Sequence, residues 1–335
     1  MSALTVLMPV FNSERFLAQA IESILDQTFQ DFEFLIIDDG SSDKSQEIIR
    51  SYADPRIRFL HNERNLGISP TLNKGITLAR TELIARMDAD DICHPTRLEK
   101  QYAYMQANPD CAMVSSLVRV VSETGEFLRQ DQFDSRYFYY NLNFVCWIYH
   151  PTVMYRKGAV QKVGMYTAAY SEDFELFWQL ARNHKIHNLP EALLDYRITN
   201  QSLHQVLKKQ EYDQAQKEQL LRNFRYYAGE DYTLPDKYLE CLQHDFTSLL
   251  QEQRVSSLYQ CIKELRFLNQ KILAKENINA DPKAIAEAAY YKERFIVSAL
   301  VRQLPRHKAV LFLLSLGKMR MLKQLISSKL LSHKP

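Results

Sequence analysis

The chain has 335 residues, 46% of them hydrophobic and 24% charged, which excludes a disordered polypeptide and sets the scale at one large domain or two modest ones. A net charge of +2 gives nucleic-acid binding no electrostatic help. No stretch reaches the ~18–20 apolar residues of a membrane span.

Residues 4–10, LTVLMPV, predict a buried strand, and the segment around them, MSALTVLMPVFN, lacks the basic n-region of a signal peptide. SERFLAQAIESILDQT follows with Phe16, Leu17, Ala20, Ile21, Ile24 and Leu25 at helical spacing and Ser13 as the expected N-cap. FEFLIID (32–38) reads as a second strand, and SSDKSQEIIRSYA as a helix after a turn at Gly40. RIRFLH (56–61) is a third strand, SPTLNKGITLAR a helix with Pro70 in its first turn, and ELIARM (82–87) a fourth strand. This alternation predicts a parallel α/β sheet with helices on both faces and ligands beyond the carboxyl ends of its strands. Those ends are Asn12, Asp38–Asp39, His61–Asn62 and Asp88–Asp90, more polar than core packing requires.

Further on, CAMVSSLVRVVSE and EFLRQ predict strands joined at Gly125, and SEDFELFWQLARN (171–183) a helix capped by Ser171. KIHNLP and LLDYRIT predict two short strands. Beyond about residue 205 glycine nearly vanishes and long helical patterns run to the end. Residues 294–335 hold nine Lys/Arg and no acid, leaving 33 basic and 40 acidic residues before them, a balance of −7. A basic, apolar tail on an acidic body points to an anionic surface. In the last segment Met319, Leu322, Leu325, Ile326 and Leu330 are roughly helix-periodic, as an interfacial helix requires; a helix packed on the protein or on a second copy fits the pattern equally. Cys93, Cys111, Cys146, Cys241 and Cys261 form no metal-ligand or CxxC spacing, so buried thiols and a cytoplasmic location are expected.

The densest chemistry is in LIARMDADDICHPTRLEK (83–100), where a strand delivers Asp88, Asp90 and Asp91 to one point. Residues i and i+2 of a strand point the same way, so Asp88 and Asp90 repel unless a cation lies between them or one takes a proton. Mg²⁺ or Mn²⁺ bound by one or two carboxylates and substrate phosphates fits that need. The competing reading is a solvated turn capping the helix that begins near Pro95. Asp38 and Asp39 fit a hydrogen-bonded turn as well as they fit contacts to a nucleobase and ribose. Asp173 lies in a first helical turn, where it suits the helix dipole or a general base; Phe174 and Trp178 beside it suit the core or a sugar face. His94, His150, His184 and His187 show no metal spacing and read as structural. Neither GxGxxG nor GxxxxGK[ST] occurs, which disfavours dinucleotide and P-loop enzymes.

Several segments in order resemble the family-2 inverting glycosyltransferases of GT-A fold: VLMPVFNSERFLAQAIESILDQTFQDFEFLIIDDGSSDKS (6–45), NERNLGISPTLNKGI (62–76), ELIARMDADDICHPTRLEKQ (82–101), HPTVMYRKGAVQKVGMY (150–166), SEDFELFWQLA (171–181) and LPEALLDYRI (189–198). The similarity covers about residues 3–205 and extends, more loosely, to bacterial envelope-polysaccharide and lipooligosaccharide transferases. It implies a Rossmann-like nucleotide-binding sheet over 1–205 and transfer from a UDP-sugar donor to a glycan or lipid-linked glycan acceptor; the helical patterns beyond it predict a mostly helical region over 206–335. Carried onto this chain, it puts Pro9, Phe11 and Glu14 beside the nucleotide and Asp39, with Asp38, on the uracil and ribose. Asn65 and Asn73 would line the donor cleft, with Arg86 near the donor and Arg197 near the diphosphate. Asp88 and Asp90 would hold Mn²⁺ or Mg²⁺, and Asp173 would be the catalytic base. Phe11 stands where the family usually has Tyr, and Thr199 where it often has His. A nucleotidyltransferase and a non-catalytic glycan- or nucleotide-binding module are the alternatives; the first lacks its Gly-rich basic loop here, and the second would have lost Asp88, Asp90 or Asp173.

Overall fold

In the computed structural model, which describes residues 2–130, 134–199 and 209–331, the first strands alternate with helices. They run β1 (Leu4–Val10), α1 (Leu17–Leu25), β2 (Phe32–Asp38), α2 (Ser45–Ser51), β3 (Ile57–His61), α3 (Ile68–Leu78) and β4 (Leu83–Arg86). β2 pairs in parallel with β1 and β3, and β1 pairs in parallel with β4. Every residue of β1 and β2 is buried, which is why they read as continuous apolar runs rather than alternating ones. Pro9 is tolerated inside the sheet because Leu7 carbonyl, facing β4, accepts from Met87 N–H at 3.0 Å and β4 pairing ends there, so no ladder needs an N–H from Pro9. α3 lies so close to β1 that a Cβ on Gly75 would come within 2.3 Å of the Leu7 side chain.

The chain continues as β5 (Ile92–Cys93), α4 (Arg97–Ala107), β6 (Cys111–Val121), β7 (Phe127–Gln130), α5 (Phe138–Asn141), β8 (Met154–Arg156), α6 (Lys157–Lys162), α7 (Glu172–Asn183) and β9 (Lys185–Arg197). The sheet order is β3-β2-β1-β4-β8-β6-β9-β5, with β7 on β6. β8 runs antiparallel to β4 and β6, β5 antiparallel to β9, and β6 parallel to β9, so the parallel half continues into a mixed sheet.

Three local expectations change. α1 begins at Leu17, not beside Ser13, because the Ser13 hydroxyl donates to Phe11 carbonyl (3.1 Å) and its N–H to Ser45 Oγ (2.9 Å). Ser171 does precede α7, but in a left-handed conformation (φ 52°) and without a side-chain cap bond. The two short strands predicted over 185–199 form one, β9: Ser116 pairs with Leu189 and Leu117 with Ala192, so Pro190 and Glu191 bulge out; one more residue is taken up between Ala192 and Asp195, and regular pairing then runs from Asp195 to Arg197. Pro190 has no N–H to give, which is the break visible in the sequence.

The fold forms two compact units divided near residue 215, with Asn277–Asn279 belonging to the first and Asn143–Val145 to the second. In the first, Asn277 Nδ2 donates to the Ala181 and Arg182 carbonyls (both 3.1 Å) and Asn279 Nδ2 to those of Ala181 (2.8 Å) and His184 (2.7 Å), closing the C-terminus of α7. The second is helical: the latter part of α8 (Lys209–Ala228), then α9 (Asp236–Leu242), α10 (Thr247–Gln251), α11 (Val255–Ala274), α12 (Pro282–Gln303), α13 (Arg306–Ser315) and α14 (Met319–Leu331). Phe224, Leu258, Ile262, Leu265, Val297 and Phe312 are among its fully buried core. α12 starts on Asp281, whose carboxylate accepts from Lys283 N–H (2.8 Å) and Ala284 N–H (3.1 Å), with Pro282 in the first turn. No helix among the described residues is long and apolar enough to cross a membrane. All five cysteines are free, and all but Cys146 are buried. The side chains of Ile326 and Leu330, part of the expected tail stripe, lie outside the described residues.

Candidate active site

β4 ends at Arg86, and the acids that follow sit in a turn rather than on extended strand. They converge all the same: carboxylate oxygens of Asp88, Asp90 and Asp91 lie within 4.8 Å of one another. The turn, not strand alternation, brings them together, and it recruits Asp91, which alternation would send to the other side. Burial and then the Asp88 charge push Asp90 up to about 7. Burial, then the Asp90 and Asp88 charges, hold Asp91 well above the carboxylate range. Asp91 Oδ1 accepts from Arg197 N–H (2.8 Å), while its buried Oδ2 has no hydrogen-bond partner among the described residues. Three crowded carboxylates, with Asp90 and Asp91 raised and one buried oxygen unsatisfied, form an all-oxygen donor set suited to a hard divalent cation. They do not cap α4: its N-cap, Thr96, makes no side-chain bond, and Leu98 N–H donates to Gln27 Oε1 (3.0 Å) instead.

Two arginines shape this turn. Arg86, buried on β4, pairs with Asp88, and that charge raises its pKa further despite burial. Arg197, at the end of β9, donates from Nε to Asp90 carbonyl (2.8 Å), from Nη1 to Glu123 carbonyl (2.7 Å) and from Nη2 to Gln19 Oε1 (3.0 Å). Its guanidinium also lies 4.5 Å from the Phe16 ring centre. Arg197 therefore grips the acidic turn from behind. Arg97, not singled out by the sequence, is fully buried under the same turn and donates to Arg86 carbonyl at 2.8 Å and Gln101 Oε1 at 3.0 Å.

The acids after β2 form a second cluster of different character. Asp38 Oδ2 accepts from Ser41 N–H (3.2 Å) and Gln46 Nε2 (2.9 Å). Asp39 accepts from Asn62 Nδ2 (2.7 Å), Leu66 N–H (3.0 Å) and Gly67 N–H (2.9 Å). Between these carboxylates and the next strand, Gly40 has φ +76°, and a Cβ there would meet the Arg64 carbonyl carbon at 2.6 Å. Glu14 Oε2 accepts from Lys44 N–H (2.9 Å) and Asp43 Oδ2 from Glu14 N–H (2.9 Å), clipping the segment after β1 to the start of α2. Phe11 stands 47% exposed at the end of β1, and Asn65 is exposed in the loop that Asp39 organises.

Asp173 lies in the first turn of α7, half-buried, with Oδ1 accepting from Phe174 N–H (2.8 Å). Burial, followed by the neighbouring Glu172 charge, raises its pKa. Phe174 and Trp178 are buried and belong to the core. His150 was expected to be structural. It is buried, hydrogen-bonded through Nε2 to Tyr166 hydroxyl (2.7 Å), with Nδ1 3.6 Å from Glu172 Oε1. Burial and the Arg86 charge lower its pKa to about 3, against the opposing pull of Asp173 and Asp88, so it is neutral at physiological pH. Asn73 does not present its amide outward: Oδ1 accepts from Tyr166 N–H (3.0 Å) and Nδ2 donates to Tyr166 carbonyl (2.8 Å). Thr199, where the resembling family often has His, is buried. Long-range pairing made His150 and Arg97 unreadable; Asp91 was visible as a carboxylate but not as a member of the cluster.

The glycosyl transferase family 2 model matches residues 5–164. The O-antigen biosynthesis glycosyltransferase WbnJ of Escherichia coli is 34% identical over 206 residues, covering 59% of this chain and 81% of that protein. The structure of S. aureus TarS (1–349) in complex with UDP-GlcNAc superposes with a TM-score of 0.58 at 16% identity, covering 91% of this chain and 93% of that one. The mannosyltransferase PcManGT from Pyrobaculum calidifontis, in complex with GDP-Man and Mn²⁺, gives a TM-score of 0.52 at 16% identity over 90% of this chain and 86% of the other. These two likenesses establish a shared fold, GT-A with a Rossmann-like sheet. Taken with the sequence relationship, they settle the class: the chain belongs to the family-2 glycosyltransferases and is a glycosyltransferase.

Proposed function

We propose that the protein transfers a sugar from a UDP-sugar, with inversion, to a hydroxyl of a surface glycan or its lipid-linked precursor. The observation that carries this is the Asp88–Asp90–Asp91 cluster, whose crowded carboxylates could hold a divalent cation. Asp88 and Asp90 would hold Mn²⁺ or Mg²⁺, which when bound supplies positive charge to the diphosphate leaving group. The neighbours bound to UDP-GlcNAc and to GDP-Man with Mn²⁺ support a sugar-nucleotide donor and a metal. WbnJ supports an envelope-glycan product.

The remaining roles fall to the chain's own groups. Phe11 offers an exposed face to the nucleobase beside Pro9 and Glu14, with Asn65 at the edge of the cleft. A carboxylate has about four lone-pair positions; Asp39 uses three and Asp38 two within the protein, leaving acceptors for uracil and ribose. Arg86 offsets the charge of the acidic turn and Arg197 fixes its backbone below the diphosphate. Asp173 takes the proton of the acceptor hydroxyl as it attacks the anomeric carbon from the face opposite the leaving group. We assign this catalytic domain to residues 1–205 and a helical region to 206–335. In that region Leu311 (54% exposed), Leu314 (48%) and Met319 (51%) belong to the segment 294–335, which carries nine Lys/Arg and no acid of its own and supports peripheral contact with an anionic membrane.

The test is UDP release from UDP-glucose, UDP-galactose and their N-acetyl forms, with GDP-mannose as control, with and without Mn²⁺, in wild type and Asp90→Ala. Metal-dependent release from one UDP donor, lost in the variant, is expected. Release that ignores both metal and substitution would overturn the metal assignment, and failure to bind UDP–Mn²⁺ would overturn the donor site.

A further inference from the structure

α3 and the segment ahead of α7 are joined by side-chain bonds that the transfer reaction as described above leaves unused. Asn73 holds both the N–H and the carbonyl of Tyr166 (3.0 and 2.8 Å), as a neighbouring strand would. One turn earlier on the helix, Ser69 Oγ donates to Ala168 carbonyl (2.6 Å). The two clips fix the backbone two residues apart, and Ser171 and α7 follow directly. Tyr166 is buried and its hydroxyl meets His150 Nε2 at 2.7 Å. The His150 ring stands edge-on to Phe177, 5.7 Å between centres, and its Nδ1 lies 3.6 Å from Glu172 Oε1. Phe177 and Glu172 are both on α7, one turn or less from Asp173.

We propose that Asn73, Tyr166 and His150 form a positioning relay: α3 clamps the 164–170 segment, and through Tyr166 and His150 sets the first turn of α7, and so Asp173, against the acidic turn after β4. Asn73 and His150 then act on the rate of transfer rather than on donor affinity. α3 follows the loop that Asp39 organises, so the donor side of the site and the base side share one rigid helix. Misplacement of a catalytic group by ~1 Å costs up to about a hundredfold in rate, so loosening the clamp should be kinetically visible without loss of fold. The relay rests on Asp173 being the base, and the experiment separates the two ideas.

The variants are Asn73→Ala, which cuts the clamp at a half-buried helix position, and Tyr166→Phe, which removes only the hydroxyl. Three readouts are needed in the full-length protein: affinity for UDP with Mn²⁺, steady-state UDP release from the four UDP-sugars, and amide hydrogen exchange over residues 164–175 without ligand. Both variants should keep UDP–Mn²⁺ affinity within about twofold, release UDP at least about tenfold more slowly, and exchange faster from Tyr166 to Phe174. In an Asp173→Asn background Tyr166→Phe should cause no further loss, because the relay acts through that carboxylate. Unchanged exchange, unchanged release, an equal further loss in the Asp173→Asn background, or UDP–Mn²⁺ affinity falling in step with rate would each overturn the relay. Wild-type release by Asp173→Asn alone would instead overturn the base assignment, and the exchange measurement would still decide whether the clamp exists.

Discussion

The two acidic clusters at the ends of β2 and β4 have almost the same composition and opposite physics. After β2, Asp38 and Asp39 accept five hydrogen bonds from nearby amides and side chains, leaving only Asp38 Oδ1 without a partner among the described residues, and the turn around Gly40 closes on them. After β4, Asp88, Asp90 and Asp91 crowd together, and burial raises Asp90 to about 7. The first cluster is held by hydrogen bonds from its own chain; the second is left crowded, and in the proposed function a cation would offset it. A pair of aspartates at a strand end is thus uninformative until one asks whether the protein itself satisfies them.

The largest test of this contrast is catalytic. Asp173→Asn should lower transfer by about 10²–10⁴-fold with UDP affinity retained, measured by steady-state kinetics and a UDP–Mn²⁺ titration; full activity would remove the base from the site. Asp90→Asn should abolish tight Mn²⁺ binding, followed by calorimetry, yet raise the melting temperature of metal-free protein at pH 8 by relieving the crowded charges. Asp39→Asn should do the reverse: keep Mn²⁺ affinity and lose about 1–3 kcal/mol of stability, read from denaturant unfolding, because its three donors lose a charged acceptor.

Acid–base behaviour sharpens the difference further. The folded pKa of Asp90, about 7, lies above its ordinary 3.8, so between those values the folded state binds the extra proton. The Asp90 contribution to stability is therefore greatest near pH 4 and falls as pH rises through 7. Wild type minus Asp90→Asn melting temperature, measured without metal, should fall across that window, and Mn²⁺ binding near pH 7 should release protons, detected as buffer-dependent heat. Asp173, also raised, would have to lose its proton to act as the proposed base, so the acid limb of the rate profile should lie above the ordinary aspartate range. The smallest effect concerns Gly40. Gly40→Ala, at φ +76° and against the Arg64–Asn65 backbone, should destabilise by about 1–3 kcal/mol and leave Mn²⁺ affinity alone.

Much of this was legible from the chain because strands buried on both faces are continuous apolar runs, and the acids mark where they stop. What stayed hidden depends on contacts far apart in sequence. Nothing local to Arg197 says that its guanidinium reaches the Asp90 carbonyl, 107 residues away. His150 reads as an isolated histidine until Tyr166 and Glu172 are beside it. Ser13 carries the right chemistry for an N-cap, but its hydroxyl and amide are engaged elsewhere, so α1 starts later. Asp38 and Asp39 were undecided between turn and ligand, and the amides they accept from show that the turn is real.

The Pro190–Glu191 bulge divides β9 into two lengths that answer to different constraints. Before it the strand is matched to Ser115 and Ser116; after it the register shifts once more between Ala192 and Asp195, and the alternation from Asp195 onward sets which way Arg197 N–H points, and that N–H holds Asp91. A side chain changes face with every single-residue step along a strand. Deleting Glu191 would therefore take up slack or turn the far half of β9 over, with no intermediate available. The bulge is a length reserve. It uncouples changes in the first half of the strand from the acidic turn, and it makes insertion or loss of one residue after Asp195 far more damaging than the same event before Leu189.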